Sequence, residues 1–164
     1  MNKLRCLVSM NLFQDMYDWA GKFRTVDIGK GNLFCLYHHL DSFVSDICAR
    51  LKRENYLIGV PKAQRLEKMA DYYGDFNAAH PFREGNGRSL RVFTEILGKV
   101  NGLDFDKATE QELLHANVQS FNLNNEGLVK IFQSISTSNS YFRTDTELQD
   151  YLSPSCGYKD GVTN

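Results

Sequence analysis

The chain has 164 residues, 42% of them hydrophobic and 24% charged, with a formal net charge of -1. That length suits one domain around one core, and the charge balance excludes the basic footprint of a nucleic-acid binder. No apolar run approaches the roughly 20 residues of a bilayer span, and Met1-Asn2-Lys3-Leu4-Arg5 does not open a secretory signal, so a cytoplasmic protein with no membrane partner is expected, with delivery into another cell left open.

Leu4, Leu7, Val8, Phe13, Met16 and Tyr17 fall mostly on one helical face, which predicts a first helix to about Trp19, ended by Gly21. Residues 24–35 carry two short β-prone segments around Gly29-Lys30-Gly31-Asn32, the one good hairpin signal in the chain. Leu36 to Glu54 is helical in period, with Leu40, Phe43, Val44, Ile47, Cys48 and Leu51 on one side. Pro61 suits the first position of the next helix, which carries Leu66, Met69, Ala70, Tyr73 and Phe76 and ends near Ala79. His80 to Gly87 is a loop by its proline and glycines, and helical period returns from Arg88 to Val100. Thr109 and Glu112 form a capping box for a helix through Leu123, and Glu126–Ser136 reads as another. The tail from Thr137 is polar, with a short helical pattern at Asp145–Leu152. The expected fold is all-α with a single hairpin, a core over residues 1–138 and a tail over 139–164. The four cysteines, Cys6, Cys35, Cys48 and Cys156, have neither C-x-x-C nor zinc-finger spacing and read as free thiols, Cys48 in the core.

The chemistry sits in His80-Pro81-Phe82-Arg83-Glu84-Gly85-Asn86-Gly87-Arg88-Ser89-Leu90-Arg91. A loop holding Gly85-Asn86-Gly87 opens directly into a helix. The N–H groups at a helix start have no intrahelical partner and sit at the positive end of the dipole. That is the design of a phosphate cradle. Arg88 and Arg91, three apart, share a helical face and present forked donors suited to phosphate oxygens. Glu84 offers a hard oxygen for Mg²⁺, which uses one or two carboxylates plus substrate phosphates. His80 precedes the cradle and titrates near neutrality, which suits taking a proton from an incoming hydroxyl. Taken singly, each has an ordinary reading: a capping histidine, a turn, a solvated arginine face, with Phe82 a core anchor for the loop. Together they make the parts list for attack on a phosphate ester.

The segment resembles the Fic motif, H-P-F-x-D/E-G-N-G-R-x-x-R, at every defined position. Tyr17-Asp18-Trp19-Ala20-Gly21-Lys22-Phe23-Arg24-Thr25-Val26 resembles the Fic lead-in to its flap hairpin, and Asn77 stands at the usual Fic spacing before His80. The resemblance spans about residues 4–136 and implies a Fic-fold helical bundle with a flap near 24–35. It implies a protein adenylyltransferase that moves AMP from ATP to a hydroxyl side chain of a target protein. His80 would be the general base and Glu84 the ligand of Mg²⁺ or Mn²⁺. Gly85, Asn86 and Gly87, with the Asn86 side chain, would form the anion hole, and Arg88 and Arg91 would bind the outer phosphates. The flap, Asp27, Ile28, Gly29, Lys30, Gly31, Asn32 and Leu33, would dock the target by β-augmentation.

The family also contains a kinase branch, Doc, whose motif departs at the glycines, and a branch that moves phosphocholine. Gly85 and Gly87 are intact here, which favours AMP transfer. The rival readings are a catalytically silent Fic-fold binding module and a transferase of another phosphate-containing group. A metal hydrolase lacks a third ligand and an H-E-x-x-H. Many Fic proteins silence themselves through a helix bearing S/T-x-x-x-E-G/N, whose Glu pairs with the second motif arginine. Glu54 and Glu126 have the right following residue but are preceded at the right distance by Arg50 and Asn122. With helical pattern already at Leu4 and no internal carboxylate of the expected kind for Arg91, either inhibition comes from a small antitoxin-like protein in trans or the enzyme is not inhibited this way.

Overall fold

The computed structural model describes residues 18, 21–121 and 124–136. The expected first helix and the polar tail lie outside them. Among the described residues there are five α-helices: α1 (Leu40–Arg53), α2 (Lys62–Ala79), α3 (Asn86–Val100), α4 (Glu110–Phe121) and α5 (Glu126–Ser134). Helix α2 is the centre, packing against each of the other four. Its buried residues, Leu66, Met69, Ala70, Tyr72, Tyr73, Phe76 and Ala79, spread around much of its circumference, as a central helix requires. Helix α1 buries the narrower stripe Leu40, Val44, Ile47, Cys48 and Leu51, the face that the sequence period predicts.

Phe76 of α2 meets Phe93 of α3 edge-on, with centroids 4.7 Å apart, and both are buried. Truncating such a side chain to alanine costs about 3–5 kcal/mol. This contact fixes the angle between the two helices that flank the His80–Gly85 loop. Phe82, inside that loop, is fully buried, so the loop is anchored in the core by its own aromatic ring.

Local boundaries differ from expectation. Helix α1 begins at Leu40, not Leu36, after a 3-10 turn at Tyr37–His39, and α5 ends at Ser134, not Ser136. Pro61 stands one position earlier than expected, at the N-cap, with an extended ψ of 141°. Helix α3 starts at Asn86, two residues before Arg88, because Gly85 at φ 74° turns the chain into the helix. The strand pairing is confined to β1 (Gly29–Lys30) and β2 (Asn32–Leu33), antiparallel about Gly31 at φ 79°. Strands thus form inside the expected turn, while Thr25 and Val26 lie outside the ladder. The Thr109–Glu112 box forms: the Thr109 N–H donates to Glu112 Oε2 at 3.1 Å and the Glu112 N–H to Thr109 Oγ1 at 3.3 Å.

Candidate active site

Helix α2 is closed by His80 in a left-handed conformation, φ 43° and ψ 57°. A non-glycine residue there costs of order 1–3 kcal/mol and persists only where its surroundings over-determine it. The surroundings do so with hydrogen bonds. Every carbonyl from Phe76 to Phe82 has a partner. Phe76 accepts from the His80 N–H at 3.3 Å, Ala78 from the Cys35 N–H at 3.0 Å and Pro81 from the Arg24 N–H at 2.8 Å. Ala79 and His80 accept from the Arg24 guanidinium at 3.4 and 2.9 Å. Asn77 faces the His80 ring at Nδ1, 3.3 Å away, and Phe82 accepts from Asn86 Nδ2 at 2.6 Å. The last carbonyls of a helix have no partner within it. Here they are satisfied largely by the 24–35 segment, more than 40 residues away in sequence.

Arg24 is the hub of that arrangement. It is only 2% exposed. A buried guanidinium is tolerated when its donors are all engaged. Beyond Ala79 and His80, Nη1 donates to the Val26 carbonyl at 2.7 Å and Nη2 to the Cys35 carbonyl. Asp27 lies 3.9 Å from Nη1 and offsets part of the charge. Burial lowers the Arg24 pKa, opposed by Cys35 and Asp27. Burial likewise raises the Cys35 thiol pKa and so disfavours the thiolate, opposed by the Arg24 charge. Arg24 explains why the ladder is so short: at the base of the hairpin, one guanidinium holds both arms by the carbonyls of Val26 and Cys35.

Two contacts to described residues bear on the His80 ring. A carbonyl can only accept, so Nδ1 carries the proton toward Asn77 and the lone pair falls on Nε2. The Phe34 ring lies flat on the imidazole, with centroids 3.8 Å apart and planes 11° apart.

The other end of the loop is built locally. The Phe82 N–H donates to Asn86 Oδ1 at 2.8 Å while Asn86 Nδ2 returns to the Phe82 carbonyl, closing a ring of five residues. Asn86 is 6% exposed, and one amide N–H and one lone pair of its side chain are engaged in that ring, which shapes the loop. The first intrahelical bond of α3 runs from the Ser89 N–H to the Gly85 carbonyl at 2.9 Å. The amides of Asn86 and Gly87 precede it and point out of the helix start. Among the described residues, nothing lies within 4 Å of a Cβ built at Gly87, so no described side chain covers the helix start at this point. Glu84 and Arg88 are exposed at the rim, and Arg91 is half-buried one turn on. Arg91 does have a carboxylate of its own: its Nε donates to Glu95 Oε1 at 3.0 Å. The i,i+4 spacing made that pair legible, but Glu95 lacks the inhibitory pattern.

The residues expected to dock a target are not equivalent. Gly29, Lys30, Gly31, Asn32 and Leu33 are exposed and Ile28 is half-buried. The Ile28 carbonyl accepts from the Phe34 N–H at 3.2 Å, and Asp27 accepts from the Tyr37 N–H at 2.8 Å. Asp27 and Ile28 therefore close the base of the hairpin.

The profile of the Fic/DOC family matches residues 3–97. The chain belongs to the Fic/DOC family. Protein adenylyltransferase VbhT of Bartonella schoenbuchensis is 40% identical over 117 residues, which cover 70% of this chain and 24% of VbhT. A probable protein adenylyltransferase Fic of Escherichia coli is 40% identical over 91 residues, covering 55% of this chain and 46% of that one. The chain thus spans from about a quarter to just under half of these curated relatives. The BepC effector of Bartonella tribocorum, crystallised with bound AMPPNP, superposes with a TM-score of 0.74 at 24% identity, covering 83% of this chain and 74% of that one. A Fic domain of Bartonella quintana with bound ADP gives a TM-score of 0.75 at 24% identity, covering 83% and 72%. At these identities the likeness shows the fold, which is the Fic fold.

Proposed function

We propose that this Fic domain, with its core within residues 1–138, transfers AMP from ATP to a hydroxyl side chain of another protein. The observation that carries this reading is the pairing of a tautomer-fixed His80 with a helix start at Gly85–Gly87 across one short loop. Relatives at 40% identity named as protein adenylyltransferases support it.

The target hydroxyl oxygen attacks the α-phosphorus of ATP and the bond to the bridging oxygen breaks, so that pyrophosphate leaves. His80 Nε2 takes the hydroxyl proton. The amides of the α3 start receive the phosphate charge, and Arg88 and Arg91 hold the outer phosphates. Among the described residues no group of three or more His, Cys, Asp or Glu could enclose a metal ion. The exposed carboxylate of Glu84 alone fits Mg²⁺ or Mn²⁺ held mainly by phosphates and water. Such an ion would neutralise phosphate charge.

The target docks by adding a strand to the hairpin as a flap, in main-chain hydrogen bonds that read sequence weakly. Leu33 is 61% exposed there and offers an apolar contact. Control comes from a small inhibitory protein in trans, as in toxin–antitoxin pairs. Its Glu would compete with both Glu95 and the outer phosphate for Arg91.

The test is to offer the protein a cell lysate with ATP labelled at the α- or the γ-phosphate. Protein labelled from the α-position alone is the expected result. Label from the γ-position would mark a kinase. Neither label would mark a silent binding module or a transferase of another phosphate-containing group.

A further inference from the structure

We infer that Phe34 is a positioning residue for the base, locking the His80 ring in the plane where Nε2 meets the target hydroxyl. This rests on the AMP-transfer reading above. The carrying observation is the stack itself: centroids 3.8 Å and planes 11° apart, between two half-buried rings.

An imidazole has two freedoms that matter to a base, and two contacts oppose them. A flip about the Cβ–Cγ bond would put Cδ2 in place of Nδ1 and Cε1 in place of Nε2, and would break the contact to the Asn77 carbonyl at 3.3 Å. A tilt out of plane would break the parallel contact with Phe34. Asn77 therefore sets which nitrogen carries the lone pair, and Phe34 sets where it points.

The backbone that presents Phe34 is itself pinned. Its own N–H donates to the Ile28 carbonyl across the hairpin at 3.2 Å. The following residue donates to the Ala78 carbonyl at 3.0 Å and accepts from the Arg24 guanidinium. Phe34 directly follows Leu33, the last residue of β2. One rigid segment thus carries both the edge that receives the target strand and the ring that aligns the base. Docking and base alignment share a single frame, so a hydroxyl presented at that edge arrives in register with Nε2. Misplacement of a catalytic group by about 1 Å can cost on the order of 100-fold.

A half-buried phenylalanine could equally do no more than fill space, and the experiment separates the two. Phe34→Leu keeps apolar volume without a flat ring, and Phe34→Tyr keeps the ring. With Phe34→Leu, kcat for AMP transfer is expected to fall about 10- to 100-fold, with ATP affinity by equilibrium binding and KM for the target unchanged. Phe34→Tyr is expected to stay within a few-fold of wild type. In a His80→Ala background, Phe34→Leu should cost nothing further. Wild-type kcat in Phe34→Leu, a loss confined to KM, or the same loss without His80 would each overturn the proposal.

A second readout needs no activity. In nitrogen-15 NMR of the histidine-labelled protein, His80 should show one tautomer with sharp ring signals, and Phe34→Leu should keep that tautomer, set by Asn77, while broadening the ring signals as the imidazole tilts. Ring signals as sharp in Phe34→Leu as in wild type would overturn the proposal. A wild-type protein that transfers no AMP but passes this arm would sink the functional reading and leave the positioning role standing.

Discussion

The His80–Gly85 loop has two ends, and they are built in different ways. At the Gly85 end, the bonds are local: Phe82 with Asn86, Gly85 with Ser89, Arg91 with Glu95, each pair four residues apart. At the His80 end, the carbonyls of Ala78, Ala79, His80 and Pro81 are capped by Arg24 and Cys35 from a distant segment. The anion cradle can be assembled by one stretch of chain. The base can be held in place only when a second stretch has docked onto it. The same segment forms the hairpin proposed to receive the target, so base alignment and target docking share one tertiary contact, while among the described residues the cradle end meets that segment through Phe23 against Phe82 and Thr25 near Arg83.

The largest effect should come from the base itself. His80→Ala is expected to lower AMP transfer about 10²–10⁴-fold while ATP binding survives. Radiolabel transfer together with calorimetric ATP titration reads both quantities, and wild-type-like transfer would remove His80 from the mechanism.

Arg24→Met should come next, because it strips the caps from one end only. The carbonyls of Val26, Cys35, Ala79 and His80 would lose their guanidinium donor, at a cost of about 2–4 kcal/mol in a denaturant titration. Transfer should fall more than ATP affinity does. Equal losses of the two would show that the cradle end also depends on the hairpin.

Arg91→Ala probes the local end. Loss of a charge-assisted donor to the outer phosphates should weaken ATP binding about tenfold and ADP binding less. Equal losses for ATP and ADP would move Arg91 away from the outer phosphate.

The smallest effect concerns α4, far from the loop. The side-chain hydroxyl and then the backbone N–H of Thr109 hold the Glu112 carboxyl below its usual pKa. A depressed folded value means that the contribution is complete above the ordinary glutamate value of about 4.3 and is lost as pH falls through the folded value. The small difference in melting temperature between wild type and Glu112→Gln should therefore shrink below about pH 4. A difference that stays constant down to pH 2 would refute the ionic part of the cap.

Much of this was legible because it is local. The stripe Leu40, Val44, Ile47, Cys48 and Leu51 is a periodic signal, and the Thr109–Glu112 box is a three-residue one. His80, Glu84, Gly85, Gly87, Arg88 and Arg91 lie within twelve residues, so their common loop-to-helix setting needs no long-range contact. Arg91–Glu95 was equally readable from its spacing. Arg24 and Phe34 were not. An arginine followed by Thr25 and Val26 reads as an exposed strand residue, and only docking onto the end of α2 buries it. Phe34 reads as one more β-prone aromatic until the fold lays it on a ring 46 positions away. Nothing in the sequence signalled that the Asn86 amide also closes a ring with Phe82, because that bond needs the loop already folded back on itself.

By itself, the sequence determined the helical periods, the caps and the chemistry-bearing segment, since each arises from side chains a few residues apart along one backbone. Only the tertiary structure decided where the base points and what holds the hairpin. The carbonyls that end α2 have no partners within their own helix, and nothing local says which distant donors will come to satisfy them.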